Sequence, residues 1–114
     1  IFTGFLGSLF LSAPLLARPP RQGVVRDYYP NGRLRLAVRY QDGQQALRRQ
    51  YGDQGQLLLD YRYRMGQPYY KRTFYPDGRI RSLWTKKSGV LINYYRDGRI
   101  KTIIKSDGLS IEQP

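Results

Sequence analysis

Tyr28-Tyr29-Pro30-Asn31-Gly32-Arg33-Leu34 returns as Phe74-Tyr75-Pro76-Asp77-Gly78-Arg79-Ile80 and again as Tyr94-Tyr95-Arg96-Asp97-Gly98-Arg99-Ile100. A looser copy reads Tyr51-Gly52-Asp53-Gln54-Gly55-Gln56-Leu57. Gly32, Gly55 and Gly78 stand 23 residues apart, and so do Gly43, Gly66 and Gly89. A fixed period of this size marks an array of like supersecondary units. Taken together, the turn glycines fall 11, 12, 11, 12 and 11 residues apart, then 9 and 10 to Gly98 and Gly108. Turn signals about ten residues apart are the mark of successive short antiparallel strands. One 23-residue unit therefore holds two strands and two turns.

The Pro-Asx-Gly turn has a mechanism. Proline pre-sets the first central φ, Asn or Asp tolerates the second position, and glycine takes the left-handed one. The expected result is a type I turn closed by a glycine bulge, the common three-residue hairpin loop. Gly32, Gly43, Gly55, Gly78, Gly98 and Gly108 are assigned structural turn roles on this basis. Asp-Gly pairs could also be read as metal or phosphate loops, but their recurrence at hairpin spacing favours turns.

The intervening stretches alternate with period two, as half-buried antiparallel strands do. Leu34, Leu36, Val38 and Tyr40 are placed on one side, with Arg33, Arg35, Ala37 and Arg39 on the other. Leu57, Leu59, Tyr61 and Tyr63 oppose Leu58, Asp60, Arg62 and Arg64. Ile100, Thr102 and Ile104 oppose Lys101, Ile103 and Lys105. In the stretch 79–87, Leu83 and Trp84 are adjacent, which predicts a bulge or a two-sided contact. The fold class expected is all-β, an antiparallel meander of about eight strands built from tandem hairpins.

The chain has 114 residues, a formal net charge of +12 and a pI near 10.3. It contains no Cys and no His, so a disulfide scaffold and thiolate metal sites are excluded, and the commonest metal ligand and general base are absent. Residues 1–17 carry no charge, and residues 18–23, opening Arg18-Pro19-Pro20-Arg21, read as a stiff linker. The apolar run suits a signal peptide or a short membrane anchor, which places the protein at the cell envelope, periplasmic or secreted in one case and membrane-anchored in the other. With no initiator Met and no basic stretch ahead of that run, the sequence reads as starting inside a longer one. The repeat domain spans residues 24–112.

The repeated Tyr-Tyr-Pro-Asn-Gly-Arg-Leu and Phe-Tyr-Pro-Asp-Gly-Arg-Ile units resemble the bacterial variant of the MORN repeat, especially antitoxin proteins of the YwqK type. The resemblance covers Val24 to Gly108 and is carried best by the copies around Gly32, Gly78 and Gly98. The further glycine that the family usually has in its inner half is mostly missing. The resemblance implies a sheet-like binding surface, with roles in neutralising a partner toxin, scaffolding complexes or contacting phospholipid head groups.

Catalytic groups are scarce. Asp42, Asp77, Asp97 and Asp107 precede turn glycines and Asp53 sits in the looser turn, leaving Asp27, Asp60 and Glu112. Paired carboxylates or an activated nucleophile are what hydrolytic chemistry needs. Ser88 beside Lys86-Lys87 is the only nucleophile hint, and it falls where a turn is due. No glycine-rich phosphate loop precedes a helix. The reading is a non-catalytic protein with no cofactor and no metal.

Fifteen arginines against five lysines is a strong preference. Arginine suits bidentate recognition of carboxylate or phosphate and stacks on aromatic rings. Arg33, Arg35, Arg39, Arg62, Arg64, Arg79 and Arg81 are the candidate residues for binding an anionic partner. The alternative is an ordinary solvated sheet face, although such faces normally mix both signs of charge. Basic charge with aromatics permits nucleic-acid binding, against which the export or anchor segment argues. The apolar side chains Leu34, Leu36, Val38, Leu57, Leu59, Ile80, Ile100 and Ile104 need a second layer: the sheet curling on itself, a second copy of the chain, or a protein partner. The expected function is therefore an interaction module that binds a protein, antitoxin- or immunity-like. A membrane-anchored subunit of a larger complex or a module for anionic lipid is the alternative.

Overall fold

A computed structural model of the chain describes residues 20–105 and 110–112. These form one antiparallel sheet in simple sequence order: β1 (Gly23–Tyr28), β2 (Leu34–Gln41), β3 (Gln44–Tyr51), β4 (Leu57–Arg64), β5 (Gln67–Phe74), β6 (Ile80–Thr85), β7 (Val90–Tyr94), β8 (Ile100–Lys105) and the short β9 (Ser110–Glu112). The meander is as expected, with a ninth strand added to the eight. Among the described residues no helix is long and apolar enough to cross a membrane. The run 1–17, Arg18 and Pro19 of the linker, and Gly108 lie outside the described residues.

The sheet stays open. Its Cα radius of gyration is 16.7 Å and its extents are 52 × 32 × 19 Å, where a compact domain of about 90 residues has a radius near 12 Å.

Four outer turns share one geometry. In the first, the Gly32 amide donates to the Tyr29 carbonyl (2.9 Å) and the Tyr29 amide to the Arg33 carbonyl (2.8 Å). Gly32 has φ +86°, and the Asn31 side chain accepts from the Arg33 amide at 2.9 Å. The same pair of backbone bonds recurs at Gly52/Gly55, Tyr75/Gly78 and Tyr95/Gly98. This is the three-residue loop that the Pro-Asx-Gly chemistry calls for.

The inner turns are tighter. Asp42-Gly43 and Met65-Gly66 each put two residues at positive φ, 53° and 79° in one and 52° and 78° in the other. Two positive φ values make a type I′ turn, whose twist matches that of the flanking strands. Lys86–Gly89 is a longer loop, with the Ser88 hydroxyl donating to the Thr85 carbonyl at 3.2 Å and accepting from the Val90 amide at 3.2 Å.

One feature corrects the expected faces. Next to every outer turn the ladder shifts register: Asp27 pairs Leu36 but Tyr28 pairs Leu34, and equivalent shifts bring together Tyr51 and Leu57, Phe74 and Ile80, and Tyr94 and Ile100. The extra residues are Arg35, Leu58, Arg81 and Lys101. A bulge moves the alternation by one place. Leu34 therefore lies on the opposite face from Leu36, Leu57 from Leu59, Ile80 from Ser82 and Ile100 from Thr102. The repeat motif uses this: its first aromatic faces the Leu or Ile that follows the turn across the hairpin, a favourable cross-strand pair.

Because residues paired directly share a face, the register defines two surfaces. The front carries Val25, Val38, Arg48, Tyr61, Lys71, Trp84 and Leu91 in one row. A second front row is polar towards the C-terminal side, where Thr73 and Ser82 hydroxyls meet at 2.5 Å and Asn93 Nδ2 donates to Thr102 Oγ1 at 2.8 Å. Among the described residues the buried apolar ones are Leu36, Val38 and Tyr40, with Val25 packed against them, all on the front. Leu83 faces the back and Trp84 the front, so the two-sided contact expected there is present, with the bulge at Arg81.

The motif's remaining residues join neighbouring hairpins. Tyr29 Oη donates to the Tyr51 carbonyl (2.6 Å), Asn31 Nδ2 to the Asp53 carbonyl (3.0 Å), and Arg33 Nη1 to the Gln54 carbonyl (2.6 Å). Forty-six residues on, Tyr75 Oη donates to the Tyr94 carbonyl (2.7 Å) and Arg79 Nη1 to the Arg96 carbonyl (3.0 Å). The loose copy has Gly52 in place of the second aromatic and Gln56 in place of arginine. Gln56 folds back on its own turn, accepting from the Gln54 amide at 3.0 Å, and a Cβ on Gly52 would lie 2.5 Å from it. The first turn is thus clipped to the second and the third to the fourth.

Candidate anion-binding site

The back face between β2 and β5 is where arginines converge. Register places Arg49 of β3 directly opposite Asp60 of β4, and Asp60 opposite Arg72 of β5. Arg62 lies two residues beyond Asp60 on the same strand and so on the same face. Asp60 is 1% exposed and is the only buried charged residue among those described. Arg62 holds it in a fork, Nε to Oδ1 at 3.2 Å and Nη2 to Oδ2 at 3.1 Å, and Arg72 Nη2 donates to Oδ2 at 3.1 Å. Arg49 stands further off, at 4.0 Å.

Burial alone pushes the Asp60 carboxyl up. The hydrogen bonds from Arg62 and Arg72 and the charges of Arg62 and Arg49 together outweigh it, so its pKa lies below the ordinary aspartate value. The bond to Asp60 in turn raises the Arg62 pKa. Asp60, an unassigned carboxylate in the sequence, is the shared counter-ion of three arginines.

Two of those arginines, and Arg64 beside them, are also shelved on aromatic rings. Arg62 and Arg72 lie over Tyr70 at 5.2 and 5.5 Å, Arg72 also over Phe74 at 5.2 Å, and Arg64 over Tyr69 at 4.4 Å. Such contacts hold a guanidinium in place without neutralising it.

Beside this cluster a groove of about 800 Å³ runs to the inner-turn end of the sheet, lined by Arg39, Arg49, Arg62, Arg64, Gln44 and Tyr69 among others. The groove and cluster bring together five arginines, counting Arg72, against Asp60 and the rim residue Asp42. The Nε of Arg49 and of Arg72 are buried and make no hydrogen bond.

Of the seven arginines picked from the sequence, Arg39, Arg62 and Arg64 meet here. Arg33 and Arg79 are committed to backbone carbonyls in the turn clips. Arg35, at a bulge, is paired with Asp27. Arg81, also at a bulge, is exposed on β6 outside the groove. Arg49 and Arg72 were not among the seven, and their faces depend on register. Arg48 and Arg49 are adjacent and so point opposite ways, and sequence alone did not say which joins Asp60.

No protein-family model matches the chain, and no curated protein shows a significant sequence match. In fold it is similar to a chain of the Glycosylation Associate Protein (Gap123) complex from Streptococcus agalactiae, with TM-score 0.48 and 16% identity over 97% of this chain and 22% of that one. It is also similar to a chain of a GtfA/B complex bound to UDP and GlcNAc, with TM-score 0.43 and 19% identity over 76% of this chain and 24% of that one. The chain thus spans about a quarter of the length of each solved chain it matches.

Proposed function

We propose that this protein is a non-catalytic repeat module that binds an acidic protein partner through the back face of its sheet. The observation that carries this reading is the charge imbalance around Asp60: three arginines share one carboxylate, and Arg39 and Arg64 add to them along the groove. Charge of one sign held in a concavity raises the local potential and steers oppositely charged ligands. The resemblance to MORN-type repeats of the antitoxin kind and a place at the cell envelope fit the same reading. The test is titration of the chain with polyglutamate as an acidic-polypeptide probe, followed by fluorescence anisotropy at low and at physiological salt. Absence of binding at low salt refutes the proposal. A second reading, a tethered module that holds anionic lipid, is favoured by the uncharged run 1–17 beside a net charge of +12. Co-sedimentation with phosphatidylserine vesicles, together with no polyglutamate binding, would select it.

A further inference from the structure

Resting on that reading, we infer that the groove receives an extended acidic peptide segment of the partner, laid across β2 to β5, with one of its carboxylates taken by Arg49.

Three features of the groove choose this occupant. The first is the state of Arg49. Its guanidinium is 4.0 Å from Asp60, whose oxygens are already taken by Arg62 and Arg72, and its Nε donates to nothing. The Arg49 side chain is nevertheless 38% exposed, so an incoming carboxylate can reach its guanidinium and form a charge-assisted bond that Asp60 does not supply. Asp60 shows which ligand shape the cluster accepts, since Arg62 grips it through two parallel N–H bonds. Planar forks of this kind match carboxylates bidentately.

The second is shape. The arginines line a trench bounded by Gln44 and Tyr69 instead of standing out on a flat array. A bilayer surface is planar and cannot follow cations into a trench; a peptide in extended form can. From β2 to β5 the trench crosses three inter-strand spacings, about 14 Å, which an extended chain covers in roughly four residues at about 3.3 Å each. Alternate side chains of such a segment point into the sheet about 7 Å apart, so two carboxylates reach the arginines.

The third is the tyrosines. Single-stranded nucleic acid gains affinity by stacking bases on aromatic faces. Tyr69 in the groove already carries Arg64 on its ring, and Tyr70 beside it carries Arg62 and Arg72. The rings here support cations.

The experiment uses the full chain and a fluorescein-labelled hexapeptide of alternating Glu and Gly as probe. Loss of a charge-assisted bond predicts that Arg49→Gln and Arg39→Gln each weaken binding by about tenfold or more. Arg81→Gln, which removes the same charge outside the groove, is expected to change it by less than about twofold, in line with a screened surface charge. Circular dichroism of each variant checks that the sheet is intact. If all three variants weaken the hexapeptide equally, or none does while polyglutamate still binds, the groove assignment is overturned and the acidic-partner reading survives. If neither probe binds, both fall. Competition by phosphatidylserine vesicles or a dT oligonucleotide that is itself sensitive to Arg49→Gln would reassign the groove to that ligand and overturn the peptide.

Discussion

Asp60→Asn is the perturbation that tests the ion cluster most directly. The wild-type carboxylate accepts three guanidinium bonds at 3.1–3.2 Å while 1% exposed. Bonds to charged groups contribute about 1.5–3 kcal/mol each. Asparagine keeps one neutral oxygen acceptor, loses the charge, and turns an N–H₂ group towards cations. Breaking a buried pair by removing one partner costs about 3–5 kcal/mol, but the arginines here are 33–39% exposed and water takes up part of that cost. The net expectation is a loss of about 2–3 kcal/mol at pH 7, roughly 10–20 °C in Tm for a domain of this size.

The pH dependence carries a definite sign. The folded pKa of Asp60 is depressed below 3.8. Its contribution is therefore present above the unfolded pKa and is lost as pH falls through the folded value. The stability gap between wild type and Asp60→Asn should be full above about pH 5 and close progressively below about pH 4. Thermal melts followed by circular dichroism from pH 7 to pH 2.5 measure both quantities. A variant melting within about 2 °C of wild type at pH 7, or a gap that stays constant into acid, would refute the assignment of Asp60 as the shared counter-ion.

Met65→Asn should stabilise the chain by about 0.5–1 kcal/mol, because Met65 sits at φ 52° and is 87% exposed, and Asn tolerates the left-handed region far better; urea midpoints at constant m-value report it. Tyr29→Phe and Tyr75→Phe should each cost about 1 kcal/mol through one lost hydroxyl bond, and the double variant should cost their sum, since the sites share no partner. Arg33→Gln and Arg79→Gln should lower stability, by about 0.5–1.5 kcal/mol each, yet leave polyglutamate affinity near wild type. Binding of polyglutamate should weaken markedly between 0.05 and 0.5 M salt, as screening shortens the Debye length below about 10 Å.

The turns were legible because their chemistry leaves a mark: a left-handed position calls for glycine, and the first three outer turns supply it every 23 residues, the fourth after 20. The bulges left none. Arg35, Leu58, Arg81 and Lys101 are ordinary strand residues, and only the ladder shows that the alternation slips at each. That slip explains why the apolar list drawn from the sequence mixed two faces. The site was half legible for a related reason. Arg39, Arg62 and Arg64 follow from simple alternation within their strands. Arg49 and Arg72 reach Asp60 only through cross-strand register, and a buried aspartate in a strand looks like any solvent-facing one until its neighbours are known.

The clips between turns give the sheet an uneven compliance. Outer turns one and two are tied, as are three and four, while Gly52 and Gln56 offer no tie from the second to the third. At the outer-turn end the β4–β5 ladder is therefore an untied joint between two clipped leaves, and the side chains that bridge it, Arg72 on Asp60 and Arg64 on Tyr69, lie further along the strands. The arginine groove straddles that joint from the opposite end of the strands, so its width is governed by the angle between the leaves. An occupant of the groove would lock the joint, and amide exchange along β4 and β5 would slow even though no contact is made there by the outer turns.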